Sequence, residues 1–111
     1  MYEIVVLPHF HRQLKVYTKK YYNLKSDLIA ALRQFDKRQA ISLGSGVYKI
    51  RLKSRDLPRG KSHAFRLIIL LVEKDGLLAP VTVYFKSQKS NITKKELNQH
   101  LEVIFFELGV K

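Results

Sequence analysis

Cysteine is absent from this chain of 111 residues. Disulfides, thiolate metal ligands and a thiol nucleophile are therefore excluded together. Acidic residues are scarce, nine Asp and Glu against 21 Lys and Arg. No acidic cluster stands out that could hold Mg²⁺, which argues against a metal nuclease. Long hydrophobic runs are missing too. The longest, Leu67 to Val72, is strand length. A membrane span would need roughly 18 apolar residues. The opening MYEIVVLPHF has neither a basic head nor an extended apolar stretch, so no secretory signal is expected. A cytoplasmic chain without membrane partners is the expectation. The fingerprints of phosphate-binding loops, dinucleotide folds, zinc proteases and serine hydrolases do not occur. Repeats, linkers and low-complexity segments are also lacking.

What is present is a core and a charge. The apolar fraction of 46% can fill one buried core. A single domain over residues 1–111 is expected. The net charge is +12 and the isoelectric point near 10.1. Such a surface attracts polyanions, with nucleic acid the leading partner class and an acidic protein the second. A surface charged only for solubility would mix its signs more evenly.

Periodicity divides the chain into elements. Tyr2 to Leu7 reads as a strand, and Pro8 suits the first turn of a helix. Phe10, Leu14, Tyr17 and Tyr21 form one apolar helix face, beside a basic face of Arg12, Lys15 and Lys19. A second helix follows, with Ser26 as N-cap, Asp27 in its first turn and a stripe of Leu28, Leu32 and Phe35. Leu43 to Gly46 reads as a flexible turn. Val47 to Lys53 alternates, placing Tyr48, Ile50 and Leu52 on one face and Lys49, Arg51 and Lys53 on the other. A basic loop spans residues 54–63. Ala64 to Glu73 is apolar except at Arg66, as for a central strand covered on both faces. Asp75-Gly76 turns the chain, and Pro80 is expected to open a strand. In that strand Val81, Val83 and Phe85 should face one way, and Thr82, Tyr84 and Lys86 the other. Thr93 and Glu96 make a capping box for a last helix, striped by Leu97, Leu101, Ile104 and Leu108 and stopped at Gly109. The expected fold is α+β in the order β-α-α-β-β-β-α, with helices packed on a mainly antiparallel sheet.

The candidate chemistry is basic. Lys49, Arg51 and Lys53 project from one strand face. Arg55, Arg59 and Lys61 follow in the loop. Arg66 stands alone in an apolar strand, where a charge costs free energy unless it is paired or faces a polar cleft. A salt bridge to Glu3 or Glu73 is the structural alternative. For Arg55 and Arg59 the alternative is a solvated loop. Tyr84 and Lys86 can join Arg66 if they share its face, or Tyr84 can pack under a helix while Lys86 is solvated. The four histidines, His9, His11, His63 and His100, suggest surface or partly packed roles. His63, beside the basic loop, stays open as a candidate.

At these residues the chain resembles RelE/ParE-superfamily toxins of bacterial type II toxin–antitoxin systems, and within them the HigB-like branch. The pattern is YKIRL at Tyr48 to Leu52, a basic loop with Lys61, FRLII at Phe65 to Ile69, VYFK at Val83 to Lys86, a polar turn and a final helix. It extends over nearly the whole chain and is firmest over residues 46–101. Residue by residue, Lys49 and Arg51 match the basic positions of the family's second strand. Lys61 matches its loop lysine, Arg66 its strand arginine, and Tyr84 with Lys86 its Tyr-x-Lys. Departures are His63 and Ala64 where glycines are common, aliphatic residues after Arg66, and no counterpart to the catalytic Glu of some relatives.

The resemblance implies a metal-independent endoribonuclease that cuts mRNA in the ribosomal A site and needs no cofactor. Its implied catalytic set is Lys49, Lys61, Arg66, Tyr84 and Lys86. RNA contacts are expected from Arg51, which the resemblance matches, and from the cations Lys53, Arg55, Arg59 and Lys89. Arg66 and Lys61 are candidates to stabilise the extra negative charge of the transition state, and Lys86, Lys49 or Tyr84 to act as base. Implied partners are mRNA on the ribosome, a cognate antitoxin and, through it, operator DNA. Competing readings are a ParE-like gyrase poison, a non-catalytic nucleic-acid binder and a degenerate toxin kept for repression.

Overall fold

One strand organises the layers because its side chains are apolar on both faces. A computed structural model describes residues 2–56 and 64–109. Among them five strands form a single sheet in the order β1-β5-β4-β3-β2. These are β1 (Glu3–Ile4), β2 (Ile41–Gly44), β3 (Val47–Leu52), β4 (Phe65–Val72) and β5 (Leu77–Phe85). β1 runs parallel to β5, and every other pairing is antiparallel. The helices are α1 (Pro8–Thr18), α2 (Leu24–Arg33) and α3 (Lys94–Leu108). From β4, Leu67, Ile69 and Leu71 pack with Phe10 and Leu14 of α1 and Leu24, Leu28 and Leu32 of α2. Ile68 and Leu70 pack with Ile104 of α3, flanked by Leu97, Leu101 and Leu108. Helices therefore cover both sides of the sheet.

Several local expectations hold. Pro8 occupies the first turn of α1. Tyr21 lies past the end of α1, yet its ring meets Phe65 edge-on at 5.3 Å, as Tyr17 does at 5.1 Å. Each such pair adds roughly 0.5–1.5 kcal/mol beyond burial. The α3 capping box is complete. The Thr93 hydroxyl accepts from the Glu96 N–H, and the Glu96 carboxylate accepts from the Thr93 N–H, each at 3.1 Å. Gly109 ends α3 with φ of 78°, a left-handed conformation that suits glycine.

Other boundaries move. The first strand shortens to Glu3–Ile4. Ser26 does not cap α2, which starts at Leu24. Its hydroxyl donates to the Asn23 carbonyl. The cap comes from a distant segment instead. Asp56 accepts from the Asn23 N–H at 2.7 Å and from its side-chain amide at 2.9 Å. A carboxylate there is favoured by the partial positive charge of a helix N-terminus. Phe35 falls beyond the end of α2 but still packs against the core, edge-on to Tyr48 at 5.6 Å.

Ile41–Gly44, whose last two residues read as a turn in the sequence, is an edge strand, so the order becomes β-α-α-β-β-β-β-α. All its residues are exposed, so it carries no burial pattern to read. Its pairing with β3 is what defines it. β5 starts at Leu77, directly after Gly76, rather than at Pro80. Pro80 lies inside it, where the register with β4 shifts between Ile68 and Ile69. A proline is tolerated at such an irregularity because its missing N–H interrupts an already broken ladder. The shift also moves Val81 to the α3 side, away from Val83 and Phe85, which stay with α1 and α2.

Gly46 joins β2 to β3 with φ of 80°, and a Cβ there would lie 2.8 Å from the Leu71 carbonyl oxygen. Gly76 shares the left-handed backbone, with φ of 63°, but has open space around it. We expect Gly76→Ala to cost about 1 kcal/mol and Gly46→Ala about 2–3 kcal/mol. Urea unfolding followed by circular dichroism measures both, and equal losses would contradict the clash.

Candidate functional site

Strand register decides which basic side chains meet. Arg51 of β3 stands opposite Arg66 of β4, and Arg66 opposite Tyr84 of β5. The adjacent row is Lys49, Ile68 and Thr82. Directly opposed residues, and residues two apart along a strand, share a face. Lys49, Arg51, Arg66 and Tyr84 therefore gather on the face that α3 partly covers. Like charges directly opposite each other, as at Arg51 and Arg66, cost stability on their own. The Lys49 ammonium reaches Asn91 at 3.5 Å.

Arg66 and Tyr84 share a feature the sequence could not disclose. The Arg66 Nη1 and the Tyr84 hydroxyl are buried, and neither has a hydrogen-bond partner among the described residues. Leaving a buried polar group unmatched costs roughly 1–3 kcal/mol. Both of the suggested salt-bridge partners of Arg66 are elsewhere. Glu73 follows the far end of β4 and pairs with Lys37 at 2.9 Å. Glu3 pairs in register with Leu77, at the opposite end of β5 from Tyr84. Tyr84 does pack beneath α3, with 7% of its surface exposed. Burial raises the pKa of its phenol, while the Arg66 guanidinium and the nearby Ile92 N–H, which itself donates to Asn91 and makes no hydrogen bond to the hydroxyl, pull it back. The phenol therefore keeps its proton at neutral pH.

The remaining candidates are dispersed. Lys53 is exposed just past β3. Lys86 is half-buried just past β5, its N–H donating to the Ala64 carbonyl at 3.1 Å. Arg55 turns toward α2, with Nε on Asp27 at 2.9 Å and Nη2 on the Ser26 hydroxyl at 2.9 Å. It therefore anchors the base of the basic loop instead of joining the row. Lys89 is ion-paired with Glu96. Arg59, Lys61 and His63 lie outside the described residues.

A histidine pair adds to the site beyond what the sequence suggests. His9 Nε2 lies 2.7 Å from His100 Nδ1, and the His9 backbone N–H donates to the Glu107 carboxylate at 3.0 and 3.2 Å. Together they join the start of α1 to α3. The readable signal is the position of His100, three residues after Leu97 and four before Ile104 on an apolar helix face. Beside the pair, a cleft of about 260 Å³ opens along β5, lined by Tyr84, Thr82, Tyr17, Lys89 and His100 among others. Burial lowers the pKa of both rings. For His9, Glu107 opposes this and Arg12 adds to it. For His100, His9 and Lys89 lower it further. Among the described residues, no group of three or more His, Asp or Glu side chains comes together at metal-ligand spacing. Nor is any helix among them long and apolar enough to cross a membrane.

The histidines predict a pH response. Their folded pKa values lie below the ordinary 6.5, so the unfolded chain binds more protons as the pH falls through that value. Stability from this source is complete above 6.5 and is lost as the pH drops toward the lowered folded values. The urea midpoint should be lower at about pH 5.5 than at about pH 7.5, and less pH-dependent in a His9→Gln/His100→Gln variant. An unchanged slope in that variant would contradict a histidine origin.

Comparison with known proteins agrees with this architecture. The family described as "RelE toxin of RelE / RelB toxin-antitoxin system" matches residues 9–105. No curated protein matches the sequence significantly. Among solved structures, a doubly substituted E. coli RelE toxin in the free state is similar, with a TM-score of 0.53 and 17% identity. That match covers 90% of this chain and 97% of the E. coli chain, and it bears on the fold alone.

Proposed function

The chain belongs to the RelE toxin family, the toxin half of a toxin–antitoxin system, and from that premise we propose that it is an mRNA endoribonuclease acting on the ribosome. The observation that carries this reading is the pair of buried, unmatched donors, Arg66 Nη1 and the Tyr84 hydroxyl, on adjacent strands. Two donors left bare beside a second arginine suit a phosphodiester, whose oxygens can accept from both.

The reaction proposed is attack of the 2′-hydroxyl on the adjacent phosphorus. The P–O5′ bond breaks, leaving a 2′,3′-cyclic phosphate and a 5′-hydroxyl. Arg66, with Arg51 and Lys49 around it, balances the charge that grows on the phosphoryl oxygens. Tyr84 retains its proton and stands against a guanidinium, which suits it to protonate the departing 5′ oxygen. Lys53 and Lys86 at the rim hold flanking phosphates. The same part is proposed for Lys61 and Arg59, and a weaker one for Lys89 and Arg55, each tied to a carboxylate. No metal enters this scheme. The HigB-like assignment, cytoplasmic action on ribosomes and operator binding through the antitoxin belong to the same proposal.

The test is cleavage of ribosome-bound mRNA by purified toxin, with mapping of the new 5′ ends. Arg66→Ala should slow cleavage about 10²–10³-fold. Its urea midpoint should stay equal or rise, because the substitution removes a buried, unmatched group. Intact mRNA with wild-type toxin would overturn the reading, and DNA damage in expressing cells would then favour gyrase as the target. Full activity in Arg66→Ala would overturn the site.

A further inference from the structure

The proposed cleavage still lacks a base, and the lysines and Tyr84 are poor choices for one. A base must be neutral at the working pH. A lysine ordinarily titrates near about 10.4 and is charged at neutrality. The Tyr84 phenol is pushed above its usual value by burial. An imidazole is the side chain suited to the task, and His100 lines the same cleft as Tyr84. Its Nδ1 is engaged 2.7 Å from His9 Nε2, which leaves Nε2 as its free ring nitrogen.

We propose that His100 is the general base of RNA cleavage and that His9 is its positioning residue. This rests on the reading of the chain as a ribonuclease. In the tautomer required, His100 donates Nδ1–H to His9 Nε2 and keeps its lone pair on Nε2. His9 is held in turn by Glu107, which accepts its backbone N–H. The arrangement resembles a triad's orienting group, with a neutral imidazole where a carboxylate often stands.

The step balances. The 2′ O–H bond breaks and its proton moves to His100 Nε2. The 2′ oxygen bonds to phosphorus, the P–O5′ bond breaks, and O5′ leaves with the Tyr84 proton. The imidazolium then returns a proton to the phenolate, so both side chains regain their starting states.

The surroundings keep the base neutral until it is used. From α1, Tyr17 lines the cleft, while His9 meets His100 beside it and Arg12, 3.9 Å from Glu107, acts on His9. From β5 comes Tyr84, and from the connection to α3 comes Lys89, paired with Glu96. Burial, His9 and Lys89 all act against the imidazolium.

Single-turnover cleavage of ribosome-bound mRNA across pH tests the assignment, with urea midpoints for each variant. The wild-type rate should rise through an acid limb centred below the ordinary histidine value. His100→Gln should lose about 10²–10⁴-fold in rate together with that limb. His9→Gln should keep the limb and move it to higher pH, because the His9 ring, which acts against the His100 imidazolium, is removed. In the free toxin, nitrogen NMR shifts should show His100 protonated at Nδ1 and bare at Nε2. The opposite tautomer overturns the assignment whether or not RNA is cut. A wild type that cuts, with His100→Gln within about threefold and the same acid limb, overturns the base alone. A wild type that leaves mRNA whole overturns the cleavage reading as well. His9→Gln and the tautomer decide the question even if His100→Gln unfolds.

Discussion

The structure depends on one buried strand that carries one cation. β4 is apolar from Leu67 to Val72, and its side chains fill the cores on both sides of the sheet. Arg66 sits next to Phe65, which is fully buried among the rings of Tyr17, Tyr21 and Phe85. The Arg66 Nη1 is buried with no partner among the described residues, so the fold tolerates a cost that an aliphatic residue would avoid. Such a cost is readily understood where a ligand supplies the missing acceptor.

The neighbouring strands place further polar side chains beside that single cation. β3 brings Arg51 and Lys49 to the same face, and β5 brings Tyr84. The register shift at Pro80 changes the side to which Val81 points, while Tyr84 remains level with Arg66. A one-residue slip would send a strand's side chains to the opposite face. The site is thus set by the same hydrogen bonds that hold the sheet together.

The helices add the second half. α1 and α2 close one face, and Asp56 and Arg55 tie the start of the basic loop to the N-terminus of α2. α3 packs on the other face, and the cleft beside Tyr84 is lined from both sides, by Tyr17 of α1 and His100 of α3. The histidine contact between α1 and α3 lies at the side of that cleft. It couples the docking of α3 to a pair of imidazoles that burial disfavours in their charged form.

Much of this was legible in the residues. The apolar run after Arg66 identified the central strand, because only a strand covered on both faces can be so uniformly apolar. The capping box and Gly109 delimited α3, because those interactions are local to a few residues. Edge strand β2 was not legible, since a strand exposed on both sides has no periodicity. Nor was the bulge at Pro80, which exists only against a partner strand. Among the candidate residues, the sequence determined their chemistry: cations, a phenol and imidazoles, with no thiols. Only the tertiary structure decided that Arg51, Arg66 and Tyr84 form one row, that Arg55 and Lys89 are held by carboxylates, and that His9 meets His100. The physical reason is that these meetings depend on strand register and helix docking, which bring together residues as much as 91 positions apart.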